Sequence, residues 1–342
     1  METIKEFKQV LEEKIKESNQ VFIVPHIKAD FDAIASCIGM YMIAKKLGKN
    51  PNIIIDEALH EMEAGVKIII DEINNMTIGK DNENISIINS SKYDKIKSNN
   101  DLLISLDLNK TYLTSCKEYL DEFKNIVVID HHKEDENTIN TDYKYIDVNA
   151  SSISELMTEL MCQFNIKFDK HIADYLLAGI YLDTDMLKRN ATSKTYRIVS
   201  KLLEKGADLG RVTDFFAYDF YSDRKVQDLV GKTCFMTYTC AIALGDEETI
   251  YSREELAKAA DYLLKYRTDA AFAIGYIAEN EISISARSSK GNIDVGEVMK
   301  ELGGGGSPFS AATKISGENI NEAGKRLTKH LKPKAYTYNT EE

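Results

Sequence analysis

Short apolar segments alternate with helical stretches through the first 190 residues of the chain. The segments are rich in Ile and Val, and their apolar residues follow one another without a polar break, which is typical of strands covered on both faces of a parallel sheet. The predicted strands are 21–26, 52–56, 85–89, 102–108 and 126–131, and the predicted helices are 31–47, 151–164 and 170–182. This alternation predicts an α/β fold with a doubly wound, mainly parallel sheet.

A second unit begins near residue 232, after a charged helical stretch that we expect to act as a connector. Its pattern predicts strands at 235–244, 270–279 and 281–288 and helices at 252–266, 294–302 and 318–331. The alternation in 281–288 is typical of a half-buried strand. We therefore predict a larger domain, 1–192, a helical connector, 193–231, and a smaller α/β domain with a mixed sheet, 232–342.

The composition limits the partners of the protein. Of the 342 residues, 43% are hydrophobic, which is ample for two cores. Lysine and arginine number 43 against 55 aspartates and glutamates, so the formal net charge is -12. This charge disfavours broad attraction to nucleic acid, and we expect no duplex partner. An anionic substrate would need a local device, such as metal ions or a few well-placed cations.

Cysteine usage and the first residues bear on location. The five cysteines form no CxxC pair, which favours free thiols in a reducing cytoplasm. The first 18 residues form a charged amphipathic pattern without the apolar centre of a signal peptide. Since no run of about 18 apolar residues follows, we expect a cytoplasmic protein with no membrane segment in this chain.

Acidic and histidine side chains follow four of the predicted elements. They are His26, Asp30 and Asp32 in "VPHIKADFDA", Asp107 in "SLDLN", Asp130, His131 and His132 in "IDHHK", and Asp183 and Asp185 in "YLDTD". Each motif alone has an ordinary explanation, such as a solvated loop or a helix cap. The carboxyl ends of parallel strands, however, meet at one edge of a sheet, where ligands bind. We therefore expect these side chains to lie close together.

Such a cluster points to metal ions. Several carboxylates and imidazoles cannot lie close together as bare charges without a cost of several kcal/mol, and divalent cations remove that cost. Oxygen ligands with some imidazole and no thiolate suit Mn²⁺ or Mg²⁺. There are too many ligands for one ion, which favours a pair about 3.5–4 Å apart, the arrangement used for in-line attack on phosphorus.

The order HxxxDxD, Asp, DHH, Asp resembles the DHH phosphoesterase superfamily, which includes exopolyphosphatases, family II pyrophosphatases, RecJ nucleases and nanoRNases. The finer similarity is to the catalytic module of the GdpP (YybT) cyclic-di-AMP phosphodiesterases, and it covers roughly residues 18–335. It is carried by "VVIDHHKEDENTINTDYKYIDVNASSISELMTELM", "LLAGIYLDTDML" and "ISARSSKGNIDVGEVMKELGGGG". The resemblance implies a DHH catalytic, metal-binding domain followed by a DHH-associated, nucleotide-binding domain.

The resemblance also implies a set of metal ligands. His26 and Asp30 would hold one ion, and Asp32 and His131 the other. Asp107 and Asp183 would bridge or complete both. The expected cofactor is a pair of Mn²⁺ ions, with Mg²⁺ possible, and a hydroxide shared by the two ions would be the nucleophile.

Three residues would take part in catalysis beside or through the metals. His132 would face the substrate phosphate as a charge stabiliser or proton donor. Asp130 would orient an imidazole through its ring N–H, and Asp107 would link the ions. The implied reaction is Mn²⁺-dependent opening of cyclic-di-AMP to linear pApA, and we expect a homodimer, as is frequent in this family.

The second domain would bind the nucleotide. Arg287 and Ser288 would contact phosphate or base, and the run Gly303, Gly304, Gly305 and Gly306 would let free backbone N–H groups approach an anion. A flexible hinge is the alternative explanation of the glycines. Ser307 stands where the family pattern has a histidine, and Asn190 where it usually has an arginine. We expect the serine to weaken nucleotide binding without abolishing catalysis.

Two other functions remain open. A nanoRNase or pAp phosphatase would use the same metal site on short linear nucleotides. A catalytically weakened cyclic-dinucleotide-binding protein is the third possibility, although the complete ligand set argues against it. GdpP proteins carry further segments upstream, so the chain is expected to be an excised module or a stand-alone relative.

Overall fold

The computed structural model describes residues 3–56, 62, 64–75, 77–78, 83–167, 169–217, 219–237, 240–266, 268–289 and 293–331. The chain divides into two compact units, Met1–Ala217 and Tyr218–Glu342. In the described part of the chain, no helix combines the length and the apolar character that crossing a membrane requires.

The first unit contains eight strands and eight α-helices in its described residues. The strands are β1 (Val21–Val24), β2 (Asn52–Ile54), β3 (Thr77–Ile78), β4 (Glu83–Asn84), β5 (Ile87–Ile88), β6 (Leu102–Leu106), β7 (Asn125–Asp130) and β8 (Tyr143–Ile146). The helices are α1 (Ile4–Glu17), α2 (Phe31–Lys46), α3 (Ala64–Asn75), α4 (Ser90–Ile96), α5 (Ile153–Gln163), α6 (Lys170–Asp183), α7 (Ser193–Glu204) and α8 (Leu209–Phe215). Short 3-10 helices span Thr111–Leu113 and Lys117–Glu122.

Six strands of the first unit form one parallel sheet in the order β5-β2-β1-β6-β7-β8. The predicted doubly wound, parallel arrangement is confirmed. The chain runs outward from β1 to β5 and then returns to place β6 on the other side of β1. The carboxyl ends of β1 and β6 therefore flank the point where the strand order reverses, which is where ligands bind in open α/β sheets.

Both faces of this sheet are buried. Along β1, Ile23 belongs to a large core with the helices α1, α2, α5 and α6, whereas its neighbour Phe22 belongs to a second core with Tyr93 and Phe123. Successive side chains of a strand point to opposite faces, so a strand covered on both sides needs apolar residues at every position. This requirement explains the unbroken apolar segments of the sequence.

The second unit has a mixed sheet, as predicted. Its strands are β9 (Thr233–Thr237), β10 (Cys240–Leu244), β11 (Ala270–Ala278), β12 (Glu281–Ser288), β13 (Gly305–Gly306) and β14 (Ser310–Ser316), and its helices are α9 (Phe220–Gly231), α10 (Arg253–Leu263), α11 (Val295–Glu301) and α12 (Ile320–His330). A 3-10 helix spans Leu264–Tyr266. The strand order is β13-β14-β12-β11-β10-β9, in which only β10 and β11 pair in parallel.

One predicted strand of the second unit was wrong. The segment 235–244 is not a single strand, because β9 and β10 pair antiparallel within it. The segment contains no Gly, Pro, Asn or Asp to mark a reversal. β10 is buried, whereas Phe235 in β9 is 55% exposed at the edge of the sheet. The strands β8 and β14 were not predicted at all.

The stretch predicted as a connector, 193–231, divides between the two units. Ile198 and Leu202 of α7 and Phe215 of α8 belong to the large core of the first unit. Leu229 of α9 belongs to a core of the second unit. The domain limits drawn from the sequence stay a prediction.

Candidate metal centre

The HxxxDxD motif places three ligand side chains where β1 leads into α2. His26 follows β1 and forms an isolated bridge with Thr114. Asp30 caps α2, because its Oδ1 accepts hydrogen bonds from the N–H groups of Asp32 and Ala33 at 2.9 and 3.1 Å. Its Oδ2 lies 3.8 Å from Nε2 of His26. Asp30 is thus both a helix cap and a candidate ligand.

Asp32 is fully buried in the first turn of α2. Its two carboxylate oxygens accept hydrogen bonds from the first N–H groups of α5, those of Ile153 and Ser154, each at 2.7 Å. A helix N-terminus favours negative charge, so α5 holds this carboxylate in the interior. Each oxygen keeps a second lone pair for a cation.

Asp107 is the centre of the cluster. It follows β6 with a positive φ of 54°, a conformation that Asp tolerates better than most residues. Its Oδ2 lies 3.5 Å from Nε2 of His26, and its Oδ1 lies 3.5 Å from Nε2 of His131 and 3.4 Å from Nδ1 of His132. The carboxylate therefore joins the imidazoles that follow β1 and β7.

The DHH motif ends β7. Oδ1 of Asp130 accepts hydrogen bonds from the N–H groups of His131 and His132 at 2.7 and 3.0 Å and lies 2.9 Å from Nδ1 of His132. Nδ1 of His131 lies 3.3 Å from the carbonyl oxygen of Ala150, and its Nε2 lies 3.2 Å from Oδ2 of Asp183, the last residue of α6. These partners fix the orientation of both rings.

The described residues contain three groups of potential metal ligands, and within each group the ligand atoms lie within 4.8 Å of one another. They are His26, Asp30 and Asp107; Asp32, His131 and Asp183; and Asp107, His131 and His132. The first two groups have the composition implied by the motifs for the two metal positions. The third brings His132 within reach of a metal as well, although its side chain is 61% exposed. Its assignment to the substrate phosphate stays a prediction.

The carboxylates control the charge of the imidazoles. Burial lowers the pKa of His26, but the nearby carboxylates of Asp107 and Asp30 outweigh this effect and raise it to about 11. Burial likewise lowers the pKa of His131, and the carboxylates of Asp107 and Asp183 raise it to about 11.

The pKa values of the buried acids shift in different directions, because their surroundings differ. Burial raises the pKa of Asp32 well above its ordinary value, and the charges of Asp183 and Asp107 add to the rise. Burial also raises the pKa of Asp107, but the three imidazoles, whose nitrogens lie 3.4 to 3.5 Å from its carboxylate oxygens, prevail and hold the pKa well below its usual range. The carboxylates of the cluster thus repel one another, and a bound cation would relieve this repulsion.

Divalent cations fit this donor set. Oδ1 of Asp107, Nε2 of His131 and Oδ2 of Asp130 are buried without a hydrogen-bond partner in the described structure, and such atoms are rare in native proteins. Two ligands about 2.1 Å from one ion at right angles lie about 3 Å apart. The nitrogen–oxygen distances of 3.2 to 3.5 Å around His131 are close to that value.

The predicted nucleotide contacts of the second unit are already engaged within the protein. Nε of Arg287 donates to Oδ1 of Asp261 at 3.0 Å, and Nη1 donates to the carbonyl oxygen of Ala286 at 3.1 Å. Ser288 is buried, and its hydroxyl donates to the carbonyl oxygen of Asp269 at 3.2 Å. A nucleotide would have to compete with these partners.

The glycine run ends α11 and packs against β14. Gly303 has a φ of 85°, and the N–H groups of Gly303 and Gly304 donate to the carbonyl oxygens of Lys300 and Met299, a Schellman helix end. A Cβ on Gly304 would lie 2.2 Å from the carbonyl oxygen of Ala312. The expectation of free amide groups is therefore wrong for Gly303 and Gly304, because the helix end uses them.

Gly305 and Gly306 form β13, paired with β14. Gly306 has a φ of 148°, and a Cβ there would lie 2.4 Å from Cα of Ala311. The hydroxyl of Ser307 accepts hydrogen bonds from the N–H groups of Phe309 and Ser310 at 3.3 and 3.1 Å. Ser307 thus stabilises the turn into β14.

Two family models match the chain. The N-terminal domain of the DHH family matches residues 20–180, and the DHHA1 domain matches residues 234–332. The chain belongs to the DHH family. The resemblance deduced from the motifs is therefore confirmed, and the metal-ligand cluster lies within the DHH match or immediately after it.

Curated relatives of this DHH-family chain are longer than it is. The chain is 33% identical over 325 residues to the cyclic-di-AMP phosphodiesterase GdpP of Bacillus subtilis, covering 93% of this chain and 48% of the relative. It is 32% identical over 329 residues to a membrane protein–large ribosomal subunit bL9 fusion protein of Onion yellows phytoplasma, covering 95% of this chain and 38% of the relative. The chain thus spans less than half the length of these relatives.

A solved structure supports the fold assignment. An exopolyphosphatase-related protein from Bacteroides fragilis matches the DHH-family chain with a TM-score of 0.78 at 19% identity, covering 96% of each chain. At this identity the likeness concerns the fold alone.

Sequence motifs did not reveal two residues that support the DHH cluster. Nδ2 of Asn109 is buried and donates to the carbonyl oxygen of His132 at 2.9 Å. A Cβ on Gly179 in α6 would lie 2.7 Å from Oδ1 of Asp32 and 2.9 Å from its Cα. A glycine inside the apolar helix "LLAGIYL" was the one available signal, because such a residue usually marks a close approach.

Proposed function

We propose that this DHH-family protein is a metal-dependent phosphodiesterase that hydrolyses cyclic-di-AMP to linear pApA. The observation that carries the proposal is the cluster of carboxylates and imidazoles at the carboxyl edge of the parallel sheet, in which Oδ1 of Asp107 and Nε2 of His131 are buried without a hydrogen-bond partner. The choice of cyclic-di-AMP is supported by the name of the Bacillus subtilis relative, whose match covers 93% of this chain. Two Mn²⁺ ions are the proposed cofactor, and Mg²⁺ is the alternative metal.

Bound divalent cations would make a water molecule more acidic and would neutralise charge on the phosphate oxygens. His26, Asp30 and Asp107 would hold one ion, and Asp32, His131 and Asp183 the other. The net reaction adds water across one diester. A water oxygen forms a bond to phosphorus and gives up a proton, the bond from phosphorus to a ribose oxygen breaks, and that oxygen takes a proton.

His132 is the proposed source of that proton. The carboxylates of Asp107 and Asp130 raise its pKa to about 10, which favours the protonated form that a proton donor requires. Asp130 engages Nδ1 at 2.9 Å, which leaves Nε2 for a substrate oxygen. A positioned proton donor of this kind contributes about 10²–10⁴-fold to a rate.

Short linear nucleotides are the second candidate substrates. The observation that favours them is the turn at Ser307, whose hydroxyl is bonded to the backbone where the family pattern has a histidine side chain. A nanoRNase or pAp phosphatase would use the same metal-ligand cluster. The homodimer and the cytoplasmic location also stay predictions.

Product chromatography separates these functions. The protein is incubated with Mn²⁺ or Mg²⁺ and with cyclic-di-AMP, cyclic-di-GMP, pApA or pAp. We expect pApA to accumulate fastest from cyclic-di-AMP. The variant Asp107→Ala should lose all turnover while keeping the fold, whereas Asp142→Ala, an exposed acid of the first unit, should match the wild type. Faster cleavage of pApA or pAp would select the second candidate. Metal binding without any product would overturn both.

A further inference from the structure

Glu155 is a buried acid that is not among the proposed metal ligands. It is the third residue of α5, and its side chain is 1% exposed. Its Oε1 has no hydrogen-bond partner in the described part of the chain and lies 3.6 Å from Nζ of Lys194. Because acidic side chains are almost never fully buried without a partner, the contacts of its other oxygen indicate what this carboxylate does.

The second oxygen of Glu155 links two segments of the first unit. A glutamate three residues after a serine cap commonly returns to the N–H group of the cap residue. Here Oε2 instead accepts hydrogen bonds from the hydroxyls of Ser151, just before α5, and Thr195, in α7, each at 2.7 Å. Both residues are buried, so water cannot easily replace the carboxylate. One oxygen atom thus joins the loop before α5 to α7.

The segment 150–154 contacts two of the proposed ligands of one ion. The carbonyl oxygen of Ala150 lies 3.3 Å from Nδ1 of His131. The first two N–H groups of α5 donate to the carboxylate oxygens of Asp32, each at 2.7 Å. Ser151 lies between these contacts along the chain. Its hydrogen bond to the carboxylate therefore holds the segment that orients both ligands.

The third proposed ligand of this ion, Asp183, is connected to the same carboxylate. It ends α6, and residues 184–192 lead from it to α7, where Thr195 donates to Glu155. The ligands of the other ion differ. Within the residues that the structure describes, no hydrogen bond or ion pair joins the segment 150–155 to the proposed ligands of that ion, His26, Asp30 and Asp107.

We infer that Glu155 is a positioning residue for one of the two proposed ions. That ion is the one assigned to Asp32, His131 and Asp183. The inference rests on the proposed function. The carboxylate acts through two hydroxyls and contacts neither substrate nor metal. Without it, the segment 150–154 would be less firmly held, and one ion would bind more weakly. Residues that support metal ligands typically change metal affinity by about 10–100-fold.

The test replaces the carboxylate with side chains of similar size. Glu155→Leu removes both hydrogen bonds, whereas Glu155→Gln keeps one acceptor oxygen. The matched control is Glu159→Leu, one turn later in α5. Glu159 also pairs with Lys194, at 2.9 Å, but the two hydroxyls bind Glu155 and not Glu159.

Calorimetric titration of the metal-free proteins with Mn²⁺ measures the effect. The wild type should show two binding events. In Glu155→Leu, one event should weaken by about 10–100-fold and the other should stay unchanged. Glu155→Gln should lose less affinity, and Glu159→Leu should match the wild type. Unchanged binding in Glu155→Leu, equal weakening of both events, or the same loss in Glu159→Leu would overturn the inference.

A second variant covers the case in which Glu155→Leu does not fold. Thr195→Val removes one of the two hydroxyls that donate to Glu155 and lies in α7, away from the ligands. It should weaken one binding event of Mn²⁺ and leave the other unchanged. Wild-type affinity for both ions in this variant would contradict the positioning role.

Histidine NMR of the metal-free protein separates this inference from the proposed function. If the wild type binds no Mn²⁺, the proposed function fails, but the ring signals of the histidines can still be compared. In Glu155→Leu, the ring nitrogen signals of His131 should shift, because the segment that bears Ala150 moves, and those of His26 should stay. Unchanged signals of His131, or equal shifts of both histidines, would refute the inference.

Discussion

The DHH cluster of the first unit and the glycine run of the second unit are both dense in motif residues, but the fold treats them differently. In the cluster, atoms of Asp107 and His131 are buried without hydrogen-bond partners. In the glycine run, the N–H groups of Gly303 and Gly304 and the hydroxyl of Ser307 bond to the protein itself. The difference teaches that a motif indicates a ligand-binding site where its buried polar atoms have no hydrogen-bond partner in the protein. Where those atoms are hydrogen-bonded within the protein, the motif stabilises the fold.

The largest effects should come from the two histidines of the DHH motif. His131→Ala should remove a ligand of the cluster and lower Mn²⁺ affinity by more than the 10–100-fold typical of an outer-shell partner. His132→Ala should bind Mn²⁺ nearly normally and lose about 10²–10⁴-fold in kcat. Calorimetric titration with Mn²⁺ and steady-state kinetics measure the two quantities, and His330→Ala is the control. Equal loss of Mn²⁺ affinity in both variants would make His132 a ligand, as its position beside Asp107 and His131 allows.

Alanine substitutions at two of the glycines should show whether the run is needed for packing. In Gly304→Ala, the new Cβ would lie 2.2 Å from the carbonyl oxygen of Ala312, so we expect a loss of about 1–3 kcal/mol in unfolding free energy. In Gly305→Ala, the Cβ meets no atom within 4 Å, and stability should stay close to that of the wild type. Urea unfolding of both variants checks the pair. Similar stabilities would mean that β14 yields, and the structural explanation of the run would fail.

The smallest effect should come from Ser307→Ala. The substitution removes the acceptor of two N–H groups in an exposed turn, where water can replace it, so stability should fall by about 1 kcal/mol or less. The nucleotide KM should hardly change if the hydroxyl serves only the turn. An increase of tenfold or more in KM would show that the hydroxyl contacts the substrate, and it would weaken the contrast between the two regions.

Much of the first unit could be predicted from the sequence, because a parallel sheet imposes a strong pattern. Strands buried on both faces need unbroken apolar residues, and their carboxyl ends share one edge. The positions of His26, Asp107 and His131 at one site follow from these two facts. Two tertiary contacts that support the cluster could not be predicted. Neither the amide of Asn109 nor the close approach of Gly179 to Asp32 leaves a periodic signal, because each depends on a neighbour distant in the chain.

The second unit was harder to predict for a related reason. Its sheet is mixed, and its edge strands bury little, so pattern alone does not set their limits. The reversal between β9 and β10 falls within a segment that has no Gly, Pro, Asn or Asp. In β14, buried and exposed positions alternate, but the buried ones include the small residues Ala311 and Thr313. The glycine run shows the same limit, because its φ angles and close contacts appear only in three dimensions.

The strand order of the first sheet has a consequence for synthesis of the protein. The proposed ligands begin at His26, after β1, and end at Asp183, the last residue of α6. A growing chain therefore carries an incomplete ligand set until nearly the whole first unit has left the ribosome. An unfolded chain has no compact set either, so the proposed ions would bind the folded state almost alone. By mass action, an ion present at 100 times its Kd would then add about 2.7 kcal/mol to the stability of the finished unit.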